Sequence, residues 1–406
     1  MLNAPRTLTY KKLFKILHQD SSSKARQGRL ETPHGIIETP IFMPVGTQGT
    51  VKSVSPHELN DLNAQIILGN TYHLFVRPGT ETIKALGGLH SFMNWQKPIL
   101  TDSGGFQVWS LAKMRKITEK GVEFQNHLDG AKTFIGPETS MEIQSALGSD
   151  IAMLFDECPP YPCDEEYASK SNKMTLRWAE RCKDWVVKNE PKAGGTSQKQ
   201  LHFGIVQGSI YSELREESAK GLVDIGFDGY AVGGVSVGEP ENEMIRAVEN
   251  SVPFLPENKP RYAMGLGTPS QMLEMIARGI DMFDCVLPTR VARTGTVYTS
   301  DGTLNLKNNK FLNDDQPIEK DCGCYACKNG FSRGYIRHLV RSEEILGIRL
   351  TTLHNLYFYL NLMRQARNAI QDNTFEDLRS KYQEYGKFYN LIKKFDRHPT
   401  FMIRCY

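Results

Sequence analysis

The chain reads as α/β, a (β/α)8 TIM barrel carrying an inserted C-terminal subdomain built around a metal. Three observations predict this. Eight short apolar runs recur between residues 36 and 287, each closing on a glycine, an acid or an amide. Most are followed by a helical pattern, and strand-helix alternation sustained over that length closes a parallel sheet on itself. Farther on, Cys322-x-Cys324-x-x-Cys327 and His354 offer three thiolates and one imidazole, a complete tetrahedral zinc shell. A doubly wound open sheet is the rival, but no G-x-G-x-x-G follows the first run and no phosphate loop occurs anywhere.

In order, the runs are IIETPIFMPVG, QIILGNT, PILTDSGG, IAMLFDE, HFGIVQG, GYAVGG, RYAMGLG and DMFDCVLPT. Between them, Ser55-Pro56 opens HELNDL and Thr268-Pro269 opens SQMLEMIARG, each pairing a capping side chain with a proline suited to the first helical turn. Residues 1–300 are expected to form the barrel, with an N-terminal hairpin and a hairpin insertion. That insertion spans Phe106 to Thr133 around an Asp129-Gly130 turn, and a second such turn is Asp301-Gly302. Residues 301–406 are expected to hold the zinc-binding subdomain and closing C-terminal helices. The segment KNEPKAGGTSQKQ (188–200) reads as a surface loop. Four protein ligands leave no open coordination position, so the zinc is expected to be structural. His338 competes with His354 for the fourth place. His354 is preferred because Leu353, Leu356, Tyr357 and Leu360 around it read as a packed helix that carries it inward.

Composition is that of an ordinary globular protein, 40% hydrophobic and 23% charged over 406 residues. No apolar run is long enough to span a membrane, and charges interleave the N-terminal apolar residues too closely for a secretory signal. A cytoplasmic location is the expectation. Three of the eight cysteines sit in the knuckle and the other five are scattered, as in a reducing compartment. The net charge of +3 is too small to announce a nucleic-acid protein, but it is uneven. Residues 281–406 carry 19 Lys/Arg against 14 Asp/Glu, the part best suited to meet phosphates.

Active sites of such barrels form at the C-terminal ends of the strands. There the sequence places Asp102, Asp156, Gln207, Gly233-Gly234, Gly265 and Asp284. A single aspartate at a strand end is more often the N-cap of the next helix, but three in one ring are harder to explain as caps. Paired carboxylates suit displacement at a sugar's anomeric carbon, where one attacks and the other moves a proton. Asp156 and Gln207 have the donor and acceptor complement to read a purine-like base. Backbone N–H groups at Gly233 and Gly234 add donors where no side chain blocks approach. Phe106 and Met264 offer apolar faces for a ring, although each alone reads equally as core.

Taken together, MPVGTQGTVK, LGNTYHL, LTDSGGFQVWSL, LFDECPP, GIVQGS, AVGGVSVGE, GLGTP, DMFDCVLPTR, the knuckle and TTLHNLYFY resemble the bacterial tRNA-guanine transglycosylases, or queuine tRNA-ribosyltransferases, in family order over essentially the whole chain. The resemblance implies a zinc-bearing barrel that replaces guanine at the first anticodon position of GUN tRNAs with 7-aminomethyl-7-deazaguanine. It implies Asp284 as nucleophile, forming a covalent tRNA intermediate, and Asp102 as general acid/base. Asp156, Gln207, Gly233, Gly234 and the Val235 carbonyl would read the base, with Phe106 and Met264 sandwiching it. Arg290 and Arg293 would bind tRNA phosphate, with a surface salt bridge as the plainer alternative for each. Chemistry on the base requires the nucleotide to leave its stack, which an anticodon loop permits at low cost. The resemblance further implies a homodimer formed through the zinc region, with Lys52, Tyr335 and His338 at the interface.

Three departures from the family pattern stand out. GGVSVGE replaces the common GGLAVGE, a mild change because Val235 keeps its carbonyl. Val237 stands where relatives that accept the bulkier queuine carry glycine, so the small aminomethyl precursor is expected. One extra residue lies between the knuckle and SRGYIRHL, which bears on the dimer contacts. The alternatives are a non-catalytic zinc-containing tRNA-binding subunit of a heteromeric transglycosylase, which need not keep both carboxylates, and a glycoside hydrolase, which would not need the purine-reading set.

Overall fold

The computed structural model describes residues 13–111, 115–189 and 199–383, so most of the expected 188–200 loop lies outside the described residues. A three-stranded antiparallel sheet comes first, β1 (Phe14–Gln19), β2 (Arg26–Thr32) and β3 (Gly35–Thr39). The barrel follows with β4 (Ile41–Met43), β5 (Val45–Gly46), β6 (Ile67–Gly69) and β7 (Ile99–Thr101). An insertion then contributes β8 (Arg115–Thr118), β9 (Gly121–Gln125) and β10 (Lys132–Ile135). The barrel resumes with β11 (Ile151–Met153), β12 (Leu201–Val206), β13 (Gly229–Val232), β14 (Arg261–Ala263) and β15 (Met282–Asp284).

The large sheet runs β4-β15-β14-β13-β12-β11-β7-β6-β5, and every neighbouring pair in it is parallel. Proline cannot donate to a ladder, and Pro44 divides the first stave into β4, paired with β15, and β5, paired with β6. Nine strand segments therefore make eight staves, and each of the eight expected runs contributes one of them. The first run was read too long: Ile36–Thr39 belong to β3, where they pair antiparallel with β2. An alternating apolar stretch does not say which of two sheets it joins.

Side chains alternate along each stave. Met43, Leu68, Leu100, Met153, Ile205, Tyr262 and Met282 fill the barrel interior, while Phe42, Val232, Ala263 and Phe283 pack outward against helices. Both anticipated helix starts carry capping boxes, Ser55 with Glu58 and Thr268 with Gln271. The insertion is not one hairpin but a three-stranded meander, ordered β10-β9-β8. Its single anticipated turn lies between β9 and β10; the Glu119–Lys120 turn between β8 and β9 lacks the Asp-Gly signal.

The lower end of the barrel is stoppered by the N-terminal sheet, whose Phe14, Leu30 and Ile37 join the interior core. Two buried ionic anchors fasten it. Arg26 bonds Asp281 through Nε at 2.9 Å and Nη2 at 2.6 Å. On another side, His34 Nδ1 meets Asp150 Oδ1 at 2.9 Å and His90 Nε2 meets Oδ2 at 3.0 Å. The two rings stack with centroids 3.6 Å apart, and their nitrogens meet separate oxygens of the one carboxylate.

After β15 the chain leaves the barrel for a subdomain containing the hairpin β16 (Thr296–Thr299) and β17 (Gly302–Asn305) and a small core of Val297, Leu306, Phe311, Ile336, Leu339 and Leu350. It returns through helix Ile345–Gln371, whose Phe358, Tyr359, Leu362 and Met363 pack on Phe42 and Phe283. That helix is the eighth of the barrel, so the subdomain is inserted between the last strand and its helix. Among the described residues no helix is long and apolar enough to cross a membrane.

Candidate active site

Asp284 ends β15, and strand alternation turns its side chain inward at the upper rim, two residues beyond the interior Met282. Its Oδ1 accepts from Tyr262 Oη at 2.5 Å and from the Gly265 N–H at 2.7 Å. Both donors sit on Oδ1, and neither bond engages Oδ2. Burial raises the Asp284 pKa, and the Tyr262 and Gly265 bonds pull part of it back.

Asp102 follows β7 and is buried. Its Oδ1 accepts from the Thr71 N–H at 2.8 Å, and its Oδ2 from Gln107 Nε2 at 2.6 Å and from Asn70 Nδ2. Burial pushes its pKa to about 7 and the Asp284 charge adds to this, against the Asn70 and Thr71 bonds. Two carboxylates at one rim, one of them buried with its pKa raised to about 7, are suited to attack and proton transfer.

Beside them, Asp156 accepts from Ser103 Oγ at 2.9 Å and from Gln207 Nε2 at 2.7 Å. Its pKa is raised by burial, with both bonds opposing. Gln207 Oε1 is buried without a hydrogen-bond partner, an acceptor facing the site that a ligand N–H would satisfy. The neighbouring turn needs glycine: a Cβ at Gly233 would lie 2.5 Å from Ile205 Cγ2, and Gly234 has φ +59° with a Cβ position 2.5 Å from Gln207 Oε1. Val235 is buried beyond them, while Phe106 and Met264 are half-buried on the rim. Glu157, next to Asp156, turns away from this pocket to accept from Tyr167 Oη at 2.7 Å and from Ser171 Oγ.

In the inserted subdomain, His354 Nδ1 lies 3.8, 3.3 and 3.6 Å from the sulfurs of Cys322, Cys324 and Cys327. Donors bound to one tetrahedral ion at Zn–S and Zn–N lengths stand about 3.6 Å apart, so the four atoms fit a metal. The other ring nitrogen, Nε2, meets the Tyr298 carbonyl at 2.7 Å, which directs Nδ1 at the sulfurs. His338, the competitor, is exposed on helix Arg333–Arg341.

A sequence profile described as queuine tRNA-ribosyltransferase matches residues 20–387. The chain belongs to the queuine tRNA-ribosyltransferase family. Among its relatives, the queuine tRNA-ribosyltransferase of Halothermothrix orenii is 55% identical over 369 residues, 91% of this chain and 96% of the relative. Those of Listeria innocua, at 56%, and Bacillus velezensis, at 55%, each align over 374 residues, 92% of this chain and 96% of the relative. As a member of the queuine tRNA-ribosyltransferase family, the chain is a pentosyltransferase.

Within this family member, Arg290 lies on helix Leu287–Ala292 at the rim, with Nε and Nη2 buried and unpartnered, while Arg293 is exposed just beyond. Four supporting groups were not singled out from sequence: Asn70, Thr71 and Gln107 around Asp102, and Tyr262 on Asp284. Asn70 and Thr71 were legible in principle, because they follow the second apolar run as Asp102 follows the third. Tyr262 lies inside a strand and reads as core. Arg215, in helix Ser212–Ile225, is wholly buried although SELREES reads as a solvated face.

Proposed function

We propose that this chain exchanges guanine at the first anticodon position of GUN tRNAs for 7-aminomethyl-7-deazaguanine through a covalent aspartyl-ribose intermediate. The observation that carries the reading is the pair of carboxylates Asp102 and Asp284 at the ends of barrel strands, together with the hydrogen-bonded pair Asp156 and Gln207. Asp284 Oδ2 attacks the ribose C1′, and the C1′–N9 bond breaks with its electrons on the purine. Asp102 supplies the proton that the departing guanine takes. It then accepts the proton of the incoming base, whose ring nitrogen attacks C1′ and releases the Asp284 carboxylate. Asp156, Gln207, the Gly233-Gly234 turn and the Val235 carbonyl hold the base edge, and Phe106 and Met264 cover its faces.

Arg290 supports the tRNA role because its unpartnered guanidinium nitrogens suit phosphate oxygens; Arg293 beside it extends the same charge. The Cys322, Cys324, Cys327 and His354 site takes one zinc ion per subunit and is structural, since all four positions are filled by protein. Exposed Tyr325 and Tyr335 flank Phe331, which stacks on Tyr335 at 6.1 Å, and this surface, with His338 and Lys52, is where a homodimer would form. A reaction on tRNA puts the protein in the cytoplasm.

The test is incorporation of radiolabelled guanine into a GUN tRNA with no nucleotide cofactor, followed by chase with either 7-aminomethyl-7-deazaguanine or queuine. Wild type should take up label and lose it to the small base alone, Val237 crowding the larger one. Asp284→Asn should bind tRNA yet form no denaturant-stable adduct. An adduct surviving that substitution moves the nucleophile elsewhere; a folded, metal-loaded wild type that binds tRNA without exchange favours the non-catalytic subunit.

A further inference from the structure

Arg215 is fully buried on helix Ser212–Ile225, yet none of its hydrogen bonds reaches a carboxylate. Its Nε donates to the Ser209 carbonyl at 2.7 Å and its Nη1 to the Val206 carbonyl at 3.2 Å. The same Nη1 donates to the Gly233 carbonyl at 2.7 Å, and Nη2 to the Gly234 carbonyl at 3.2 Å. These oxygens belong to the ends of two adjacent staves, β12 with its Gln207 turn and β13 with its glycine turn. A guanidinium is the one side chain whose rigid fork can tie both together from behind.

The peptide unit that accepts the shorter of the two glycine-turn bonds contains the Gly233 C=O and the Gly234 N–H. The peptide is trans, so its N–H points opposite to its C=O. With the carbonyl aimed back at Arg215, the Gly234 N–H is aimed forward, away from the cation. A charge-assisted bond on the carbonyl also polarises the amide and strengthens the N–H as a donor. The Gly234 carbonyl bond fixes the next peptide, and with it the Val235 N–H, in the same way.

We propose that Arg215 is a positioning residue of the base pocket, acting through the Gly233–Gly234 peptide to aim and polarise the N–H that meets the purine carbonyl. This rests on the transglycosylase reading above. When the C1′–N9 bond breaks, its electron pair passes to N9 and is delocalised onto the purine oxygen. A donor sharpened by a cation behind it stabilises that developing charge more than it stabilises the bound neutral base. The glycines alone permit such a turn, and Arg215 holds it in one orientation.

Arg215→Lys keeps the charge but loses the fork, since an ammonium cannot span four carbonyls on two staves. Melting temperature and zinc content serve as the folding check, and guanine exchange is measured at varied guanine and at varied tRNA. The expected result is a kcat lower by 10-fold or more and a base KM raised severalfold, with tRNA KM within twofold of wild type. A folded Arg215→Lys protein with kcat and base KM within twofold of wild type overturns the inference. If that variant does not fold, Arg215→Ala is prepared and assayed in millimolar guanidinium against equal sodium chloride. Rescue of kcat by guanidinium alone is expected, and folded protein without rescue overturns the proposal. Wild-type protein runs in parallel: its failure to exchange guanine defeats the transglycosylase reading, whereas normal wild-type exchange with an unaffected variant defeats only the role of Arg215.

Discussion

The Tyr262 hydroxyl governs how readily Asp284 ionises. Burial raises the Asp284 pKa, and the Tyr262 bond is the foremost influence opposing it. Removing the hydroxyl in Tyr262→Phe therefore raises the pKa further, so Asp284, the proposed nucleophile, is protonated over more of the acidic range. The acidic limb of the pH–rate profile should move to higher pH, and kcat/KM below neutrality should fall roughly 10- to 100-fold, the worth of a bond to a charged group. An unchanged limb would mean that Asp284 does not set it. Asp102 and Asp284, the carboxylates proposed for catalysis, could be picked out from sequence because strand ends are where acids stand out against apolar runs. Tyr262 and Arg215 could not, because a tyrosine inside a strand and an arginine inside a charged helix are ordinary, and only the folded chain shows which oxygens they reach.

At the level of elements, helix Ile345–Gln371 does two jobs. It carries His354 to the cysteines and lays Phe358, Tyr359, Leu362 and Met363 on the barrel. A metal held by this cluster would therefore anchor a helix whose other turns are held by apolar burial. Removing the ion with a strong chelator, or substituting Cys324→Ser, should melt the small subdomain core at a lower temperature than the barrel, resolved as two transitions by calorimetry. A single transition at the untreated melting temperature would show that the cluster contributes no stability. The helix starts at Ser55 and Thr268 were legible because capping is local chemistry. The extra strand of the insertion was not, since its first turn offers no Asp-Gly signal and the length of an insertion leaves open how many strands it holds.

Across the whole molecule, the stopper at the lower end is held by charge. Burial alone would raise the Asp150 pKa, but bonds from His90, the Ile99 N–H and His34 bring it below the ordinary carboxylate value. A depressed folded pKa adds stability that is present above the unfolded value near 4 and is lost as pH falls through the folded value. Asp150→Ala should cost about 3 kcal/mol in urea unfolding at pH 7, with the gap narrowing below pH 4. A gap independent of pH would deny Asp150 an ionic role. The barrel itself was legible from eight runs in order. The division of the first run between two sheets was not, because the pairing of Ile36–Thr39 with β2 and of Ile41–Met43 with β15 are facts of the folded chain.

The proposed nucleophile rides on the seam of this cylinder. Asp284 closes β15, the last stave, whose partner β4 belongs to the first, and Asp284 itself registers against Met43 across that join. Asp102, on the third stave, can be set while the wall is still open; Asp284 cannot. In a nascent or partly unravelled chain, Asp284 is therefore not held in place until the first and last strands meet. On the proposed mechanism, such a chain forms no covalent link to an RNA that it has no means to release.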